Sequence, residues 1–142
     1  MSPDDVTRLQ IGNDVQIAGA RQAVREAAVA AGFSLVEQTK IVTAASELAR
    51  NTLVHGGGGH MELQAVTVAG RKGLRLTFAD DGPGIRDVDS ALSDGYTTGN
   101  GLGLGLGGAR RLVQEFTIDS TPGGGTTVTA VSWARSGQRV PR

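Results

Sequence analysis

Alternation and helical spacing of the apolar positions divide the chain into segments that predict their own structure. Val6 to Ile11 alternates in part and predicts a short first strand. An alanine-rich stretch follows, with Asp14 placed to cap a helix that runs through Ala31 and stops at Gly32. Ser34 and Glu37 then spell Ser-x-x-Glu, a capping box, ahead of Ile41, Ala45, Leu48 and Thr52 at helical spacing. This second helix is expected to reach about His55, where a run of glycines ends it. Met61 to Val68 alternates as a strand, and the turn Ala69 to Gly73 leads into another, Leu74 to Ala79. Asp87 to Leu92 and Gly107 to Glu115 read as short helices. Phe116 to Ser120 and Thr126 to Trp133 read as strands joined by a turn, Thr121 to Gly125. Hairpins and helices in separate runs predict an α+β two-layer sandwich, with the helices on one face of a mixed sheet. The polar tail from Arg135 to Arg142 is expected to fray.

Composition narrows the function classes. A length of 142 residues suits one domain, 1–142. Fourteen basic residues balance fourteen acidic ones, which argues against a protein that coats nucleic acid, since that needs a surplus of Lys and Arg. Cysteine is absent, so disulfides, thiolate catalysis and cysteine-held zinc are excluded. Nothing approaches the roughly 18 apolar residues of a membrane span. The start, Met1 to Asp5, is acidic rather than signal-like, so a cytoplasmic location is expected. Glycine is the outlier at 22 residues, and it is clustered between well-patterned segments, where it punctuates a fold.

Three constellations carry candidate chemistry. Glu47 and Asn51 lie four apart, which stacks them on one helix face; a carboxylate can serve as a base and an amide oxygen can ligate a hard cation. Taken alone, the pair reads as well as a solvated face. Asp80-Asp81-Gly82-Pro83-Gly84-Ile85 ends a strand. Leu74, Leu76 and Phe78 share one strand face, and Asp80 continues that parity into the layer between sheet and helices, while Asp81 points away. An inward carboxylate needs a donor, such as an adenine amino group, although a tight turn with local bonds would also account for the motif. The third is Gly99 to Gly108, in which leucine alternates with glycine before Ala109-Arg110-Arg111. A solvated linker would not carry those leucines; a loop that docks over phosphates and loosens without them would. The Gly-x4-Gly-Lys pattern of the P-loop is absent, and the dinucleotide fingerprint at Gly103-x-Gly105-x-x-Gly108 lacks the hydrophobic strand it requires.

The order of these motifs resembles the GHKL ATP-binding superfamily of gyrases, histidine kinases and anti-sigma kinases, over about Ser34 to Trp133. The resemblance implies the Bergerat fold, with ATP between sheet and helices beneath a lid. It implies that Asn51 binds Mg²⁺, that Glu47 is the catalytic carboxylate, and that Asp80 bonds the adenine amino group. It implies that Gly84 lets adenine approach, and that Gly101, Gly103 and Gly105 surround the phosphates. Thr126, after Gly125, then assists Asp80. Gly82, Ile85, Leu102 and Leu104 complete the candidate nucleotide contacts. Asp94 to Thr98 running into Gly101 to Arg111, together with Glu47 to Asn51, is similar to the RsbT-type switch kinases of bacterial stressosomes. Partners implied by that likeness are STAS-domain antagonist or scaffold proteins and a metal-dependent serine phosphatase that feeds sigma-factor control. His55 departs from that subfamily and is commoner in the anti-sigma kinases. Direct binding of a sigma factor, or an ATP-binding module without transfer activity, are the alternatives. No nucleic acid or membrane partner is implied. Arg50, Arg110 and Arg111 are candidates either for phosphate contact or for solvated helix faces. His55 and His60 are expected to be loop residues beside the glycine run.

Overall fold

Two helices open the inner layer, and both are capped by reciprocal side-chain bonds. The computed structural model describes residues 5–92 and 105–135. Helix α1 (Asp14–Ala30) is capped by Asn13, one residue before the expected Asp14: Asn13 Oδ1 accepts from Gln16 N at 2.8 Å, and Gly12 N donates to Gln16 Oε1 at 2.7 Å. An amide at each end of the Asn-x-x-Gln spacing thus does what a capping box does, and Asp14 instead places its charge in the first turn. Helix α2 (Leu35–Val54) has the expected box. Ser34 Oγ accepts from Glu37 N at 3.1 Å and Ser34 N donates to Glu37 Oε1 at 2.7 Å.

The strands are β1 (Val6–Ile11), β2 (Gly59–Val68), β3 (Arg71–Asp80), β4 (Glu115–Ser120) and β5 (Thr126–Trp133), and the short helices are α3 (Val88–Leu92) and α4 (Gly105–Arg111). The strand order is β1-β2-β3-β5-β4, and all four pairings are antiparallel. The sandwich stands as expected, but the sheet is not mixed. Two helices between β1 and β2 return the chain in the opposite direction. β3 and β4 do run the same way, yet β5 is inserted between them, so they never pair. The β2–β3 hairpin is also tighter than expected. Val68 pairs with Arg71 around a two-residue loop, Ala69 and Gly70, both at positive φ, so Arg71 to Gly73 belong to the strand. Helix α4 ends four residues earlier than expected, at Arg111 rather than Glu115, and begins two earlier, at Gly105.

The core lies between α1, α2 and one sheet face. Ile17, Ala20, Val24 and Ala28 of α1 and Ile41, Ala45, Leu48 and Ala49 of α2 meet Met61, Leu63, Leu74, Leu76, Phe78, Val128 and Ala130. With so many alanines at the contact, both helices can lie close to the sheet. That closeness brings the end of α2 against the end of β3. The tail is described only at Arg135, whose N–H donates to Glu37 Oε2 at 3.0 Å; the rest of that expectation lies outside the described residues.

Candidate functional site

Strand register places Asp80 where parity predicts. Leu74, Leu76 and Phe78 are buried on the inner face, Asp80 continues their side half-buried, and Asp81 is exposed. Across the sheet Asp80 stands opposite Gly59 of β2 and Thr126 of β5. Directly opposed residues present their side chains to the same face, so Asp80 and Thr126 share the end of the interlayer space. Asp80 Oδ1 accepts from Gly82 N at 2.9 Å, an Asx-type turn that orients the carboxylate. The two readings of this motif therefore coexist: the aspartate closes its own turn with one oxygen and holds the other, Oδ2, next to Gly56.

Gly56 was not singled out in the sequence, and it proves central. Its N–H donates to Asn51 O at 3.3 Å as α2 unwinds through the His55 cap. A Cβ there would collide with the Asp80 side chain, including Oδ2 at 2.5 Å. A Cβ on Gly82 would meet Gly56 Cα at 2.7 Å. Gly125, at φ +87, would drive a Cβ into the Asp80 carbonyl, and Gly84, at φ +78, would drive one into the Thr121 carbonyl. The glycines after β3 and before β5 thus let three chain segments and the end of α2 converge on one carboxylate. For Gly84, the observed requirement is this loop–loop packing, reinforced by Gly123 N donating to Pro83 O at 2.7 Å.

Ser120 is the other residue that sequence reasoning missed. Its Oγ accepts from Ile85 N at 2.7 Å and lies 2.9 Å from Thr126 Oγ1 and 3.3 Å from Gly125 O. It ties the Asp-x-Gly-x-Gly-Ile turn to the Gly-Thr turn across 35 residues of sequence. Its place at the end of alternating β4, next to the glycine turn, is the one sequence signal that points to it.

Glu47 and Asn51 lie half-buried along the edge of the buried stripe of α2. At 1.5 Å per residue, Asn51 sits roughly 7 Å back along the helix from Gly56, and Glu47 about 6 Å further. Glu47 Oε1 accepts from Gly105 N at 3.4 Å, which sets the start of α4 at this end. The site is therefore a line, from Asp80 and Thr126 at one end to Glu47 and Gly105 at the other. Gly101, Leu102, Gly103 and Leu104 lie outside the described residues. Arg50, Arg110 and Arg111 are all exposed. His55 caps α2, whereas His60 is not a loop residue: it lies in β2, with Nδ1 3.3 Å from Arg8 Nη2. Two more residues of the glycine run pair into the strand than its composition suggested.

Among the described residues no three His, Cys, Asp or Glu side chains converge on a point that could hold a metal ion. Among them, too, no helix is long and apolar enough to cross a membrane.

Residues 36–135 match the family described as Histidine kinase-, DNA gyrase B-, and HSP90-like ATPase, and the chain belongs to that family. Among individual proteins, it is 41% identical over 132 residues to the serine/threonine-protein kinase RsbT of Bacillus subtilis, covering 93% of this chain and 99% of that one. It is 29% identical over 114 residues to an anti-sigma F factor of Thermoanaerobacter sp. strain X514, covering 77% of this chain and 79% of that one. In architecture it is similar to the crystal structure of the RsbU and RsbW domains of a Mycobacterium tuberculosis protein. That likeness has a TM-score of 0.62 at 22% identity, and covers 92% of this chain but 33% of the solved one.

Proposed function

We infer that the chain is a serine/threonine protein kinase of partner-switching type, which transfers the terminal phosphate of ATP to STAS-domain proteins. Released from them, it engages a metal-dependent serine phosphatase that feeds sigma-factor control. The likeness to RsbT over nearly the whole of both chains supports the reaction class. The observation that carries the nucleotide site is the half-buried Asp80 carboxylate, turned inward and seated by Gly56, Gly82 and Gly125.

In this reading the adenine amino group donates to Asp80, with Thr126 beside it, Ile85 and Gly84 flank the base, and the phosphates extend along α2 towards Gly105. Leu102 and Leu104, with Gly101 and Gly103, belong to the covering loop. The chemistry of the donor set fits a Mg²⁺ ion that arrives with the nucleotide: one amide oxygen, Asn51 Oδ1, would supplement phosphate oxygens and water, as this ion favours. When bound, Mg²⁺ supplies charge neutralisation for the transferring phosphoryl group. Glu47, at the phosphate end, orients or deprotonates the acceptor hydroxyl. Its bond with Gly105 N keeps the carboxylate aimed along the site.

Transfer of label from γ-labelled ATP to a STAS-domain protein tests the reaction, and Asp80→Asn tests the base end. The amide presents a donor towards a donor, so ADP affinity should fall by at least about tenfold, the weight of one charge-assisted bond lost. Wild-type affinity in that variant by calorimetry would remove Asp80 from the base site. A direct grip on a sigma factor is a second reading, favoured by the anti-sigma F relative; pull-down with purified sigma factor separates the two.

A further inference from the structure

The geometry points to Ser120 as a specificity-determining residue that acts through Thr126, making the base end select a purine bearing an amino group over one bearing an oxo group. This rests on the nucleotide reading above and adds a residue and a rule to it.

The argument is a count of protons. A serine hydroxyl has one proton to give and two lone pairs to accept with. Ser120 Oγ has three neighbours within bonding distance: Ile85 N, Gly125 O and Thr126 Oγ1, at 2.7, 3.3 and 2.9 Å. The Ile85 N–H can only donate, so Ser120 accepts there. The Gly125 carbonyl can only accept, so the single Ser120 proton goes to it. The remaining bond must then be donated by Thr126. Capacity and demand match at three.

Thr126 consequently spends its own proton on Ser120. Its side chain is buried, 6% exposed, and stands opposite Asp80 on the same face. What Thr126 can still offer on that face is a lone pair. Two acceptors therefore sit side by side, a carboxylate and a hydroxyl oxygen without a spare proton. An amino group, with two N–H bonds, satisfies such a pair. An oxo group meets a second acceptor, and the unpaired contact costs on the order of tenfold or more in affinity. Removing the Ser120 hydroxyl releases the Thr126 proton, which can then rotate to meet an oxo group.

The test compares adenosine and inosine diphosphates, whose bases differ at the relevant position in amino against oxo, by calorimetry on the folded full chain. Wild type should prefer the adenosine form by at least about tenfold. In Ser120→Ala that ratio should shrink several-fold, through weaker adenosine and stronger inosine binding, and Ser120→Thr, which keeps a hydroxyl, should restore it. Thr126→Val removes the same oxygen by another route and should shrink the ratio too, which keeps the test decisive where Ser120→Ala folds poorly. A residue that merely pins the two turns would weaken both nucleotides alike. An unchanged ratio in the folded variants, or no preference in wild type, overturns the inference while leaving the nucleotide site standing. Failure of wild type to bind adenosine diphosphate at all overturns the nucleotide reading itself.

Discussion

At Asp80 the candidate site is made of backbone approaching backbone, whereas at Glu47 and Asn51 it is made of side chains projecting from one helix. The first end draws on four separate segments: the end of α2, the turn after β3, the end of β4 and the start of β5. It is held by Gly82 N, Ile85 N, Ser120 and Thr126, with glycines wherever a Cβ would collide. The second end needs only the pitch of α2, which sets Glu47 and Asn51 one turn apart, and a 3.4 Å contact from Gly105. The difference teaches what each end tolerates. A helix face accepts a changed side chain without moving its neighbours, while a point where four segments converge does not. Specificity for the base is thus coupled to folding, and the chemistry of transfer is separable from it.

The largest effect that should expose this asymmetry is Gly125→Ala. The residue holds φ +87 and has the Asp80 carbonyl directly in the path of a Cβ. Left-handed strain and overpacking each cost about 1–3 kcal/mol, so urea denaturation should show a loss of about 3 kcal/mol, with ADP binding lost as well. A loss below about 1 kcal/mol would mean that the turn can shift at little cost, and the contrast between the two ends would fade.

Asn51→Ala is the matching change at the other end and should be smaller in stability. Asn51 lies beside the buried stripe rather than in it, so the urea midpoint should move little. Nucleotide affinity should instead lose much of its dependence on Mg²⁺, and transfer to a STAS-domain protein should stop. If calorimetry with and without Mg²⁺ shows the same dependence as wild type, another residue holds the ion. A large stability loss would show that this end too is structural.

The same contrast explains what was legible in the sequence. Local physics carried the helices, the Ser34–Glu37 box and the burial side of Asp80, because periodicity and strand parity depend only on near neighbours. The helix face of Glu47 and Asn51 was legible for that reason. The antiparallel order of the sheet was not, because insertion of β5 between β3 and β4 is a choice about distant partners. Gly56 and Ser120 escaped for the same reason. One gains its role when α2 meets β3, the other through a bond spanning 35 residues. The Asn13 cap was a local error: Asp14 looked the better cap by charge, but the Gln16 side chain supports the residue before it.

The smallest effect concerns the connection between the two ends. Asp87 leads into α3, and its carboxylate accepts from Ser90 N at 3.1 Å and from Ser90 Oγ at 2.8 Å. The backbone bond from Ser90, then the hydroxyl bond, hold the carboxyl below its ordinary value. A lowered native value means that the unfolded chain binds the proton more readily. The stabilisation is therefore complete above the unfolded value of about 3.9 and is lost as pH falls through the lowered native one. Asp87→Asn keeps an acceptor for Ser90 N but cannot ionise, so denaturation curves of the two proteins should be parallel above pH 5 and draw together towards pH 2. The gap should be slight, because the group is exposed, and ADP affinity at neutral pH should not change. A variant whose curve follows wild type at every pH would place the origin of any acid sensitivity elsewhere. A fall in ADP affinity would show that the start of α3 bears on the base end, which the separation of the two ends forbids.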